Sequence, residues 1–160
     1  SFDHMDIGLV PDVRLSRTGE TGFDMTFSLP YQRAFYSALR GAGQVHGLAM
    51  VGLRALDAQR ILAGSAAWGP DLHGQTVVTQ GARARLALLR IASGEGMPLG
   101  LETVWQGGRP VGHTASTAWV GKDLVALAWL DEGTCPDGIS VSVMGQDRAA
   151  DILIDRIKVL

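Results

Sequence analysis

The sequence predicts an α+β fold, in which a strand and helix region over residues 6–72 is followed by a small antiparallel β-barrel or sandwich over residues 82–160. Two patterns carry this prediction. Between residues 23 and 45 the apolar positions change from a spacing of two to a spacing of three to four, which is typical of a strand leading into a helix. After residue 82 the chain consists of about six short apolar or alternating segments separated by glycine-containing turns.

The first region begins with a predicted pair of strands. Every second residue from Phe23 to Leu29 is apolar, so one face of this strand should be buried. The strand around Val13 and Leu15 should pair with it. Pro30 then suits the first turn of a helix, which should end near Gly47.

A second helix is predicted from Gly52 to about Leu62, with Gly64 as its stop. Asp57 and Arg60 lie three positions apart within it. That spacing predicts an ion pair on the helix surface.

The second region reads as strands only, predicted at 84–91, 103–105, 111–116, 124–130, 139–143 and 152–157. Gly107 and Gly108 suit a tight hairpin, because glycine tolerates positive φ. The run from Leu124 to Leu130 is apolar at every position, so it should be a central strand that is buried on both faces.

Composition excludes several classes of function. The chain has 14 basic and 16 acidic residues and a formal charge of −2, so it has no cationic surplus for nucleic acid or an anionic membrane. The longest apolar run is far shorter than the ~20 residues of a membrane-spanning helix. Cys135 is the only cysteine, which excludes an internal disulfide and fits a reducing compartment. We therefore expect a cytoplasmic location and neither nucleic-acid nor membrane partners. Asp3, His4 and Asp6 are excluded from the site search, because residues 1–5, with the His4-Met5 pair, resemble a cloning remnant.

Five phrases, in order, resemble the glycine-cleavage T-protein (aminomethyltransferase) family. Residues 14–25, RLSRTGETGFDM, resemble the family's RVSYTGELGFEI. Residues 52–64, GLRALDAQRILAG, resemble GLRARDSLRLEAG, and residues 107–116, GGRPVGHTAS, resemble DGRPVGYVTS. The helix over 31–47 and the stretch over 68–72 also match, so the resemblance covers nearly the whole chain.

The resemblance implies a fold and an activity. Family members have an N-terminal folate-binding region, a middle α/β region and a C-terminal β-barrel, and this chain resembles the C-terminal portion, a strand-helix remnant of the middle domain followed by the barrel. Their reaction transfers a one-carbon unit from an aminomethyl group to tetrahydrofolate, which is therefore the implied cofactor. The family includes the folate domains of dimethylglycine and sarcosine dehydrogenases.

This sequence departs from the family pattern at functional positions. The acid-base Asp of the N-terminal region has no counterpart here, so no catalytic residue is assigned, and no metal site is expected. Leu62 replaces the glutamate that reads the pterin ring, and a Leu offers no acceptor oxygens. The stretch between Leu72 and Gly81 is shorter than in the family, and Arg83 and Arg85 beyond it are interpreted as a solvated face rather than as contacts for a folate tail.

The cofactor-binding candidates are the polar and aromatic residues of the matching phrases: Glu20, Asp24, Asp57, Arg60 and Trp68. Two functions remain open. One is a truncated or partner-dependent part of an aminomethyltransferase-like enzyme, and the alternative is a non-catalytic binding or structural module that has lost folate recognition. Apolar surface around Phe23, Phe27 and Phe35 should then be exposed, so a homo-oligomer or a separate N-terminal region is the expected partner.

Overall fold

The computed structural model describes residues 2–18, 22–73 and 83–157. Contacts divide the chain into two compact units, Ser1–Met50 and Val51–Leu160. The α+β class and the antiparallel barrel are both confirmed. The domain limits drawn from the sequence, 6–72 and 82–160, concern the family's domains and stay a prediction.

The first unit opens with an antiparallel sheet of β1 (Phe2–Ile7), β2 (Val10–Arg17) and β3 (Phe23–Thr26), in the order β1-β2-β3. The pairing of β2 with β3 is as predicted. Strand β1 was not predicted from the sequence. Its sequence, FDHMDI, has no strict alternation, and pairing with β2 along most of its length makes it a strand.

A 3-10 turn (Leu29–Tyr31) with Pro30 leads into α1 (Gln32–Gln44), and Gly47 follows it at a φ of +74°. This confirms the predicted helix and its stop. The core of the unit is Val10, Val13 and Phe35, and the Phe27 ring stacks on Phe35 with centroids 4.0 Å apart. The prediction of exposed apolar surface is therefore wrong for Phe35, which is 6% exposed, and holds for Phe23.

The predicted buried face from Phe23 to Leu29 is wrong. All four residues of β3 are exposed, and the Phe23 and Leu29 side chains are 53% and 78% exposed. The reason is position: β3 lies at the edge of the sheet, and only Phe27, just beyond the strand, packs against the core of the unit.

The second unit contains α2 (Leu53–Leu62) and a closed antiparallel barrel with the strand order β4-β7-β6-β5-β8-β9. Its strands are β4 (Ala84–Ile91), β5 (Thr103–Gln106), β6 (Arg109–Val120), β7 (Asp123–Asp131), β8 (Ile139–Val143) and β9 (Gln146–Ile154). Strand β7 pairs with both β4 and β6, which confirms the predicted central strand.

Both faces of β7 are buried, each for its own reason. Even-numbered residues such as Leu124 and Leu130 belong to one core cluster together with residues of β5 and β8. Odd-numbered residues, Leu127 among them, belong to a second cluster that includes Ile61 of α2 and Ile157. Helix α2 therefore covers one face of the barrel wall, and the other face fills the barrel.

The hairpin turns follow from positive φ. Gly107 and Gly108, at φ values of +57° and +75°, join β5 to β6 as predicted. The turn before β9 is formed by Met144 and Gly145, both at positive φ. The last strand therefore begins at Gln146 and ends at Ile154, earlier than the predicted 152–157.

Arg85 is buried, so the interpretation of Arg83 and Arg85 as a solvated face is wrong for Arg85. It is 5% exposed, and its guanidinium donates to the Asp155 carboxylate at 2.7 Å, to the Asp131 carbonyl at 2.9 Å and to the Thr134 carbonyl at 2.8 Å. Arg85 thus ties the chain after β9 to the start of β4. Arg83, two residues earlier, is exposed as expected.

Neither helix of the described residues is long and apolar enough to cross a membrane.

Candidate functional site

A cleft of about 510 Å³ opens in the second unit between α2 and β6. Cavities of ~300–1,000 Å³ are the usual size of small-molecule sites. Its lining comes from α2, from the loop before β5 and from β6: Arg54, Asp57, Arg60, Ile61, Pro70, Met97, Pro98, Leu99 and the run 115–119. Apolar side chains form most of these walls, with the charged groups on the helix side.

Helical spacing explains why α2 presents these charges. Arg54, Asp57 and Ile61 are three or four positions apart, so they share one face of the helix. Ile61 is fully buried against the barrel and anchors that face. Arg54 is exposed at the cleft and makes no hydrogen bond or ion pair with a residue that the structure describes.

Arg60 is held by partners on every side of its guanidinium. Its Nε donates to Asp57 Oδ1 at 2.8 Å, its Nη1 to Asp71 Oδ2 at 2.5 Å and to the Ser65 carbonyl at 3.3 Å, and its Nη2 to Ser116 Oγ at 2.7 Å. The predicted ion pair of Asp57 with Arg60 is therefore confirmed. The same contacts use every nitrogen of Arg60 within the protein.

Asp71 is the buried centre of this network, at 1% exposure. Besides Arg60, it accepts from the Ala67 amide at 2.8 Å and the Ser116 amide at 3.0 Å, and its own carbonyl accepts from Trp129 Nε1 at 3.0 Å. One carboxylate thus joins α2, the loop after it and β6, with its backbone held by β7. Asp71 was not among the residues predicted to bind a cofactor, and the described residues contain no cluster of three or more potential metal ligands.

A second carboxylate shapes the opposite wall of the cleft. Glu102 accepts from the amides of Leu99 at 2.6 Å and Gly100 at 3.0 Å, and also from the Thr114 hydroxyl. Thr117 Oγ1 donates to the Pro98 carbonyl at 2.6 Å. These bonds hold the loop in place although Leu99 itself is 91% exposed.

The structure brings together two of the five residues predicted to bind a cofactor. Asp57 and Arg60 both line the cleft, whereas Trp68 does not and is 73% exposed. Asp24 lies exposed on β3 in the first unit. Glu20 lies outside the described residues. Cofactor binding by these five residues stays a prediction.

Sequence reasoning missed Arg54, Leu99 and Trp119 as cleft residues. They come from three segments far apart in the chain, and no motif links them. Leu62 does not line the cleft. It follows Ile61 by one position, so its side chain leaves the helix about 100° away from that of Ile61. The position to which the family resemblance assigns pterin recognition is therefore not part of this cavity.

His113 is a half-buried histidine on β6. Burial lowers the pKa of His113 below its ordinary 6.5, and the neighbouring charge of His73 lowers it further. On its strand His113 lies opposite Thr103 of β5 and Trp129 of β7, neither of which is charged.

We expect the free energy of unfolding to fall as the pH drops below about 6.5. The unfolded chain takes up a proton at His113 at that pH, while the folded chain does so only at lower pH. Urea unfolding of the wild type and of His113→Gln between about pH 5 and 8 measures the effect, which should be smaller in the variant. His46→Gln, at an exposed position, is the control. Equal pH dependence in all three proteins would contradict the expectation.

Comparison with known proteins identifies the family. Residues 1–86 match the GCVT N-terminal domain. Mouse mitochondrial dimethylglycine dehydrogenase is 26% identical over 185 aligned residues, covering 96% of this chain and 21% of the relative. Mouse mitochondrial sarcosine dehydrogenase is 30% identical, covering 66% of this chain and 14% of the relative. The chain thus spans between about a seventh and a fifth of the length of the curated relatives it matches. Since the domain match takes in more than half of the 160 residues, this chain belongs to the glycine-cleavage T-protein family, as the ordered phrases predicted.

Proposed function

We propose that this chain is an aminomethyltransferase-like protein of tetrahydrofolate-linked one-carbon metabolism, and that it depends on a further region or partner chain to complete its folate site. The observation that carries the proposal is the match of residues 1–86 to the GCVT N-terminal domain. Two relatives named for dimethylglycine and sarcosine, both N-methyl amino acids, support one-carbon chemistry.

The dependence on a partner rests on two features of α2. Leu62 is half exposed and presents hydrocarbon where the family presents a carboxylate. Arg60 already donates to four groups of its own chain, so binding an anionic ligand there would break internal bonds. Trp68, in the loop after α2, supports ligand binding instead. Its exposed indole offers a flat face on which an aromatic ring such as a pterin can stack.

Exposed apolar residues support a partner as well. Leu53, Leu56 and Leu62 of α2 are 80%, 49% and 48% exposed, and Phe23 in the first unit is 53% exposed. Apolar surface of this kind commonly marks an interface. We propose that the remaining region of a T-protein fold, or a second copy of the chain, covers it. The predicted cytoplasmic location also stays a proposal, since the named relatives are mitochondrial.

The test is the binding of 5-formyl-tetrahydrofolate, measured by titration calorimetry. We expect at most weak binding by the unmodified chain and about 10- to 150-fold tighter binding by Leu62→Glu, because one charge-assisted hydrogen bond contributes about 1.5–3 kcal/mol. Leu62→Gln is the matched control. Glutamine has the same shape as glutamate without the charge, so Leu62→Gln should recover only a small part of the gain in affinity.

Low-micromolar binding by the unmodified chain would show that it completes its own folate site and would overturn the partner dependence. Absence of binding by all three proteins would remove the folate part of the proposal. The second candidate, a non-catalytic binding or structural module, would then stand. The observation that favours it is the Arg60 and Asp71 network, which is bonded within the chain rather than directed at a ligand.

A further inference from the structure

Arg148 is a buried cation that lacks a counter-charge. It lies near the start of β9, opposite Val141 of β8, and is 6% exposed. Its Nη1 donates to the Gly96 carbonyl at 3.3 Å. Its Nε and Nη2 are buried without a hydrogen-bond partner. A buried charge in this condition is costly unless something supplies an opposite charge and acceptors.

Comparison with Arg85 shows how this fold satisfies a buried arginine. Arg85 is equally buried, and each of its three nitrogens has an oxygen partner, including the Asp155 carboxylate. No described residue forms an ion pair with Arg148. Its neighbours on β9, Asp147 and Ala149, are exposed and project from the other side of the strand.

The two unpaired nitrogens face Gly94. A Cβ placed on Gly94 would lie 2.8 Å from Nε and 3.2 Å from Nη2. Gly94 therefore lies directly over these two nitrogens, and only a residue without a side chain can approach them so closely. Nε with Nη2 is the guanidinium edge that holds two carboxylate or phosphate oxygens side by side, and an acceptor reaches that edge when the Gly94 backbone shifts away from it.

The segment over Arg148 suits entry of a ligand. Its sequence, Ser93 to Gly96, contains two glycines and is exposed throughout. Its hydrogen bonds to the rest of the described chain are one from Arg148 to the Gly96 carbonyl and one from Ser93 Oγ to the Lys122 carbonyl, and its two glycines pack against Arg148 and Met144. None of its backbone N–H groups donates to a described residue, so they are available to an anion.

We propose that Arg148 and the segment Ser93–Gly96 form a binding site for a small oxyanion, a carboxylate or a phosphate group. The segment moves outward, and the oxyanion accepts from Nε and Nη2 and neutralises the guanidinium. Arg148 does not line the cleft beside α2, so this site is separate from it and does not rest on the proposed function.

Thermal unfolding in inorganic phosphate and in acetate, each against chloride at equal ionic strength, tests the proposal. A ligand that binds only the folded state raises Tm, and we expect a saturable rise of about 2–5 °C at about 20 mM of the preferred anion. Whether Tm rises with phosphate, with acetate or with both identifies the group that binds. Arg148→Met should lose the rise and, in chloride, should be at least as stable as the wild type, because it removes an unpaired buried charge. Arg109→Met, which removes an exposed arginine from β6, should keep the rise.

Gly94→Ala tests the geometry with the charge retained. Its methyl group would lie 2.8 Å from Nε and crowd the guanidinium edge, so the rise in Tm should be lost although Arg148 is intact. Nitrogen-15 NMR provides a readout independent of stability, since the Arg148 Nε–H resonance should shift on titration with the anion in the wild type. Three results would overturn the proposal: no rise in either anion, a rise that survives Arg148→Met, or an equal loss of stability in chloride for Arg148→Met and Glu95→Gln. The last would mean that the loop's own Glu95 is the counter-charge.

Discussion

Replacing Leu127 by aspartate is expected to abolish soluble, folded protein. Leu127 is fully buried on β7, in the cluster that α2, Leu72 and Ile157 form against the barrel wall. A carboxylate there has no partner and would cost several kcal/mol, out of a total stability of about 5–15 kcal/mol. Soluble yield and far-ultraviolet circular dichroism measure the outcome.

Leu153→Asp is the matched control for that prediction. Leu153 also lies on a barrel strand, but its side chain is 44% exposed. An aspartate there remains in contact with water, so this variant should fold and lose at most about 1 kcal/mol. If Leu127→Asp folded as well as Leu153→Asp, the assignment of β7 as a strand buried on both faces would be wrong.

Replacing Asp71 by alanine is expected to destabilise the second unit by about 3 kcal/mol, because removing one partner of a buried ion pair leaves the other charge uncompensated. The change also leaves the amides of Ala67 and Ser116 without their acceptor. Urea unfolding measures the loss. The cleft wall should loosen at the same time, and hydrogen exchange at the Ser116 amide should accelerate.

Asp57→Ala separates the buried partner of Arg60 from the exposed one. The Asp57 side chain is 53% exposed, so its ion pair with Arg60 should contribute less than about 1 kcal/mol. A double variant, Arg60→Met with Asp71→Leu, should be less destabilised than the sum of its single changes, since it leaves no buried unpaired charge and Asp57 stays in contact with water. Equal losses for Asp57→Ala and Asp71→Ala would contradict the assignment of Asp71 as the anchor.

Local chemistry explains why some elements were predictable. The limits of α2 follow from helix-forming residues between Gly52 and Gly64, and the hairpin at Gly107 and Gly108 follows from their tolerance of positive φ. Strand β7 was predictable because a run that is apolar at every position must be covered on both faces. These are properties of neighbouring residues, and the phrases that resemble the family are local in the same way.

The candidate site was less predictable for the same reason. Asp57 and Arg60 are close in sequence, and their ion pair was foreseen. Asp71 and Ser116 complete the network from 11 and 56 positions away from Arg60, so only folding brings them together.

The sequence by itself determined the fold class, the two helices, most barrel strands and the family, because periodicity, turn residues and ordered phrases act over short stretches of chain. Tertiary structure alone decided the closure of the barrel, the exposure of Phe23, and which arginines are buried with or without a partner. Burial and charge pairing depend on which distant segments pack together. No sequence pattern distinguishes Arg85 from Arg148. The packing of the barrel supplies Arg85 with the Asp155 carboxylate and leaves two nitrogens of Arg148 without a partner.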